Sequence, residues 1–133
     1  MDQLKVRLKQ EQGQALIEGL LALGLVLMVV AVAGQALAFA HARSVAIAAA
    51  QDGARTAATD GSQAGIARAN VILAAAGGSG RSLRATASEQ ANEVTVKVEG
   101  QAPRLFSLPL LVPAVRASAS LPLERYPTAE ATP

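Results

Sequence analysis

The chain has 133 residues, a formal net charge of +2 at pH 7, a hydrophobic fraction of 51% and an aromatic fraction of only 2%. A charge so close to zero, with so few aromatic rings to stack on bases, argues against nucleic-acid binding. The lack of cysteine excludes disulfides and thiolate metal sites, and a single histidine excludes a metal site built from several histidines.

The first twelve residues are polar and weakly basic. Lys5, Arg7 and Lys9 outnumber Asp2 and Glu11. Basic residues next to a membrane helix favour the cytoplasmic side of the membrane. We therefore expect the N-terminus in the cytoplasm and the chain beyond about residue 40 outside, although one arginine past the helix opposes this orientation.

An apolar stretch from Gly13 to Ala40 follows. Between Gly19 and Ala40 it has no charged side chain, and Gln35 is its one amide. At ~1.5 Å per residue, a helix of this uncharged part is roughly 33 Å long, enough to cross the roughly 30 Å hydrocarbon core of a bilayer. The stretch therefore predicts a transmembrane helix, with Glu18 just before its uncharged part.

Three interpretations of this stretch compete. It is a plain membrane anchor, or a secretory signal cut after Ala38 in the A-x-A pattern Ala36-Leu37-Ala38, or a segment in which Gly13 and Glu18 act together. The secretory interpretation is weakened because the apolar run exceeds the ~7–15 residues usual for such signals. A carboxylate between the basic and apolar parts is also unexpected there.

The six residues Gly13-Gln14-Ala15-Leu16-Ile17-Glu18, followed by an apolar helix, resemble the leader of a type IV pilin or pseudopilin. More narrowly, the chain from about residue 12 to 58 resembles TadE-like pseudopilins of tight-adherence (Flp) pilus systems, which carry a small-residue segment ending in a Gly-Ala-Arg-like triplet. Gly53-Ala54-Arg55 corresponds to that triplet, whereas Gly19 replaces a frequent aromatic residue.

The resemblance implies that a membrane aspartyl enzyme, the prepilin peptidase, cuts between Gly13 and Gln14. Glu18 is then the fifth residue of the mature chain. A carboxylate drawn to the bilayer centre costs on the order of 2.5–3.5 kcal/mol, so it needs a partner charge or a route to the interface. Our hypothesis pairs Glu18 with the new amine of Gln14 on a neighbouring helix; the alternative is that Glu18 reaches the headgroups.

The helical pattern continues past the membrane to about Thr59. Small residues recur here at every fourth position, and we call this set the small-residue row. Such spacing lets helices approach closely; the alternative is that an alanine-rich segment produces the row by chance. The row comprises Gly34, Ala38, Ala42, Ala46, Ala50, Ala54 and Ala58. Asp52 and Arg55 are spaced to pair on one face, Gly53 is a candidate kink, and His41 is expected at the outer membrane interface.

A break at Asp60-Gly61-Ser62 precedes a second helix, with Ser62 as its expected N-cap. That helix, residues 65–76, has one apolar face that includes Ile66, Val71 and Leu73. It ends at a glycine-rich turn, residues 77–80, which lacks the ending of a phosphate-binding loop.

Three alternating runs then predict half-buried strands at 83–88, 93–99 and 115–121, the first two joined as a hairpin. The three strands are expected to lay their apolar face against the second helix. A proline-bearing apolar loop, residues 101–113, is expected to cover the sheet, lie on the membrane or meet a partner.

The predicted fold class is α+β, with a long N-terminal transmembrane helix before a small domain of one helix and a three-stranded antiparallel sheet. The predicted segments are a leader (1–13), a transmembrane helix (14–40), its extracytoplasmic extension (41–60), a small head (61–123) and a disordered tail (124–133).

No catalytic constellation is recognisable, so we expect a non-enzyme without cofactor, metal or small-molecule substrate. The expected function is that of a TadE-like pseudopilin or minor pilin in a bacterial inner membrane. Its expected partners are the prepilin peptidase and other pilins, which would contact its N-terminal helix, packing through Gly34, Ala38, Ala42 and Ala46. The alternatives are a secreted adhesin-like binding domain and a single-pass anchor carrying an interaction domain.

Overall fold

The structure, a computed structural model, describes residues 2–105 and 114–123, with side chains from residue 13 onward. Helix α1 spans Asp2–Asp60 and helix α2 spans Ser62–Ala75, followed by a short 3-10 turn, Gly77–Ser79. The strands are β1, Leu83–Gln90, β2, Glu93–Gln101, and β3, Ala114–Pro122. The predicted α+β class is confirmed, because a long apolar N-terminal helix, a second helix and a three-stranded antiparallel sheet are all present.

The contacts within the chain form two units, Met1–Ala36 and Leu37–Pro133. In its described part the first unit is a single helical stretch. The second unit, called the head below, contains the rest of α1, helix α2 and the sheet. The head therefore starts inside α1, and helical residues from Leu37 onward belong to it.

The sheet has the order β1-β2-β3, with both pairs antiparallel. Strands β1 and β2 form the predicted hairpin through the two residues Ala91 and Asn92. On the inner face two valines of β2 lie between alanines: Val96 pairs with Ala87 and Ala119, and Val98 pairs with Ala85 and Ala117. Alternation of apolar and polar residues thus gives the sheet an inner face of short side chains, which lies towards the helices.

The core of the head is built from small side chains. Six buried residues come from α1, at most 1% exposed: Ala42, Ala46, Ala49, Ala50, Ala54 and Ala57. They form one cluster with Ala69 and Leu73 of α2 and with the buried valines of the sheet. Both helices thus contribute to the core, whereas the sequence assigned the apolar face of the sheet to α2 alone.

Two local predictions about α2 are wrong. Val71 is 58% exposed, whereas Leu73 is buried and Ile66 half-buried, so the apolar face of α2 is narrower than expected. Ser62 is the first helical residue, not the cap. The N-cap is Gly61, at φ 89°, without a side-chain cap; the Glu89 carboxylate accepts the Ser62 N–H at 3.3 Å instead.

A third local difference concerns the middle of α1. Asp52 pairs with Arg68 of α2, Oδ2 to Nε at 2.7 Å, and not with Arg55 as predicted. Helix α1 also continues without a break through Gly53. The expected loop 101–113 beyond residue 105, and the expected tail from residue 124, lie outside the described residues.

Candidate processing and assembly site

The apolar part of α1 in the first unit exposes almost every large side chain. Its exposed fractions range from 46% at Val32 to 75% at Leu16. Burying one leucine or valine is worth about 1.5–3 kcal/mol, so such a surface is unfavourable in water. Within the described part of the chain one helix, Gly13–Asp60, is long and apolar enough to span a membrane; its most apolar window has a mean hydropathy of 2.6 and no buried residue.

Gly13 and Gln14, the predicted scissile pair, lie inside the continuous helix α1. Gly13 is half-exposed and Gln14 is exposed. A Cβ added at Gly13 meets no atom of the described residues within 4 Å. Packing against the described part of the chain therefore does not require glycine at position 13, and the residue lowers helix stability by about 1 kcal/mol relative to alanine.

Glu18 lies one helical turn after Gln14 and is exposed. Residues four apart on a helix lie on the same face, about 6 Å apart along the axis. Its apolar neighbours Ile17, Leu20 and Leu21 are 64–71% exposed. The carboxylate is thus presented at the surface of the helix among side chains suited to lipid or to other helices.

The predicted packing residues divide between the two units. Gly34 and Ala38 are half-buried, whereas Ala42 and Ala46 are fully buried in the head. The outer half of the small-residue row therefore packs within its own chain. This leaves the N-terminal part of α1 as the surface on which another helix would have to pack.

The close crossing of α1 and α2 was not recognised from the sequence. A Cβ built on Gly65 lies 2.5 Å from the Cβ of Ala57 and 2.6 Å from the carbonyl oxygen of Gly53. A Cβ on Gly53 lies 3.0 Å from the carbonyl oxygen of Gly65. The available signal was the pair of glycines on either side of the Gly61 break, which predicts a tight helical hairpin.

Among the described residues, no three histidine, aspartate or glutamate side chains gather as a metal site would require. The titratable side chains between Glu18 and Arg116 are spread over both helices, the sheet and the connecting segments. A comparison with protein-family models, with curated proteins and with solved structures found no match to this chain.

Proposed function

We propose that the chain is a membrane-anchored, non-catalytic pilin-like subunit that takes part in assembling a Flp-type pilus after cleavage between Gly13 and Gln14. The observation that carries the proposal is the placement of Gly13 and Glu18 at the start of an unburied apolar helix that leads into a small α+β head.

The chemistry of glycine supports a role for Gly13 in proteolysis. A protease must straighten the helix locally, which glycine eases, and it gains access to a backbone without a side chain. No described atom lies within 4 Å of a Cβ at this position, and the same holds for Gly19 and Gly24, so the open space permits the cut without selecting its position. The Gly13–Gln14 bond is the proposed substrate, and the peptidase is a separate protein.

The position of Glu18 supports a role in assembly. Cleavage before Gln14 creates an amine one turn below the carboxylate on the same helical face. Two parallel copies shifted by about one turn bring the amine of one copy level with the carboxylate of the other. The low dielectric of lipid strengthens the attraction between this amine and this carboxylate. Pairing also means that neither charge is left alone in the membrane.

The excess of basic residues before Gly13 supports a cytoplasmic N-terminus and an extracytoplasmic head. In this arrangement the protein crosses the bacterial inner membrane once. The head presents its polar sheet face, with Thr95 Oγ1 and Ser120 Oγ 2.7 Å apart, to the aqueous side.

The decisive experiment is mass spectrometry of the N-terminus of the protein purified from its native membrane. We expect a chain that begins at Gln14. A start at Phe39 would instead indicate secretion after cleavage at Ala38, and a start at Met1 would indicate a plain anchor; either result refutes the proposal.

A matched pair of variants tests the role of the glycine. Gly13→Val should abolish the cut, because a branched side chain blocks the protease. Gly24→Val should leave the cut unchanged, since a Cβ at Gly24 also meets no atom within 4 Å. Equal processing of both variants would refute the role assigned to Gly13.

A further inference from the structure

An open cleft of about 360 Å³ lies between the start of the head's part of α1 and the start of β3. It is lined by Phe39, Arg43, Ala114, Val115 and Arg116. Phe39 and Arg43 are one turn apart on the same face of α1. Phe39 packs against the core and Val115 is 1% exposed, so the cleft has an apolar floor.

The rim of this cleft is cationic. Arg43 is exposed, and the side chain of Arg116 is 77% exposed. The Nε of Arg116 lies 4.0 Å from Glu99 Oε1, at the outer limit of an ion pair, so this contact is weak. Two guanidinium groups with an apolar floor between them match a ligand that has an anionic group next to an apolar body.

The position of the cleft along α1 indicates which ligand this is. Arg43 lies three residues beyond Ala40, the end of the uncharged run, which corresponds to about 4.5 Å of helix. The headgroup layer on each side of the hydrocarbon core is roughly 5–8 Å thick. Phe39, whose ring is wholly apolar, falls at the edge of the hydrocarbon core, and Arg43 falls at the depth of lipid phosphates.

We propose that this cleft binds the phosphate of an anionic phospholipid in the leaflet next to the head. Arg43 and Arg116 donate hydrogen bonds to the phosphate oxygens, because guanidinium matches phosphate geometry with paired N–H groups. Phe39, which is only partly buried, contacts the glycerol end of the acyl chains. The inference rests on the membrane-anchored part of the proposed function, and it adds a lipid contact that fixes one side of the head.

The test uses the full chain purified in a mild detergent and mixed with equal amounts of phosphatidylglycerol and phosphatidylcholine. Native mass spectrometry measures the ratio of the two lipids retained. We compare the wild type with R43Q/R116Q. The matched control is R81Q/R84Q, which also removes two exposed charges; Arg84 lies directly across β2 from Arg116, on the other side of Glu99.

We expect the wild type to retain phosphatidylglycerol preferentially. The preference should fall about fivefold for each arginine charge lost from the cleft, hence about 25-fold in R43Q/R116Q, and stay unchanged in R81Q/R84Q. The proposal would be overturned if all three proteins retained the two lipids in the same ratio. It would also be overturned if the preference for phosphatidylglycerol fell equally in both variants.

Extraction of native membranes at alkaline pH separates failure of this inference from failure of the proposed function. If the protein stays in the membrane but shows no lipid preference, only the proposal that the cleft binds lipid is refuted. If alkali releases the protein, it has no membrane-spanning helix, and both proposals fail.

Discussion

Gly65→Ala is the substitution for which the structure gives the clearest expectation. The new Cβ would lie 2.5 Å from the Cβ of Ala57 and 2.6 Å from the carbonyl oxygen of Gly53. Carbon atoms are in optimal contact at about 3.5–4.0 Å, so α1 and α2 must separate by roughly 1 Å. Neither neighbouring atom can rotate away, because one is backbone and the other is the first atom of an alanine.

The cost follows from two opposing effects. Overpacking of this kind costs about 1–3 kcal/mol, and the upper half of that range applies because backbone must move. Replacing glycine by alanine inside a helix returns about 1 kcal/mol. The net loss in free energy of unfolding is therefore about 1–2 kcal/mol, which lowers the Tm of a domain of this size by about 5–15 °C.

The assay is urea and thermal unfolding of the full chain in a non-ionic detergent, followed by circular dichroism. Two further glycine variants serve as a graded control. At Gly53 the nearest atom to an added Cβ is 3.0 Å away, so Gly53→Ala should lower the free energy of unfolding by less than Gly65→Ala does. At Gly78 no described atom lies within 4 Å, so Gly78→Ala should not lower it. Equal stability of all three variants would refute the close helix crossing.

Three further predictions concern charge, turn strain and assembly. Asp52→Asn should cost at most about 1 kcal/mol at low salt and almost nothing in concentrated salt, because the side chains of Asp52 and Arg68 are 34% and 52% exposed; an effect that persists at high salt would contradict this. Ala91→Gly should raise the free energy of unfolding by about 0.5–1 kcal/mol, since alanine at φ 48° is in the left-handed region, and a loss of stability would show that the turn is not strained. Glu18→Ala should leave cleavage intact and prevent co-assembly with partner pilins in a pull-down from native membranes, and normal co-assembly would rule out the charge pair.

The secondary structure of the head was readable from the sequence because its signals are local. The run of Val94, Val96 and Val98 alternates with polar residues, and this period of two occurs only where one face of a strand is buried. The hairpin follows from the short link before residue 93. The positions of Gly13 and Glu18 on one helix were equally readable, since no contact elsewhere in the described chain determines them.

The packing of the head could be predicted less well from the sequence, because packing depends on contacts between distant residues. Alanines spaced by four indicate that something approaches α1 closely, but they do not say whether it is another chain or the chain's own sheet. The partner of Asp52 was misjudged for the same reason, because spacing along one helix favours Arg55 and the fold brings Arg68 nearer. The cleft beside the start of β3 joins Phe39 and Arg43 to residues more than 70 positions later in the sequence, so no local pattern predicts it.

The small side chains in the core of the head determine its response to mutation. The largest side chains with under 2% exposure are four valines, Val94, Val96, Val98 and Val115. Truncating one of these valines loses part of the about 1.5–3 kcal/mol that its burial contributes, and a methyl group added at the crossing of α1 and α2 has no space to occupy. Sequence drift at this crossing should therefore be limited mainly by crowding, and variants that survive there should carry residues no larger than those already present.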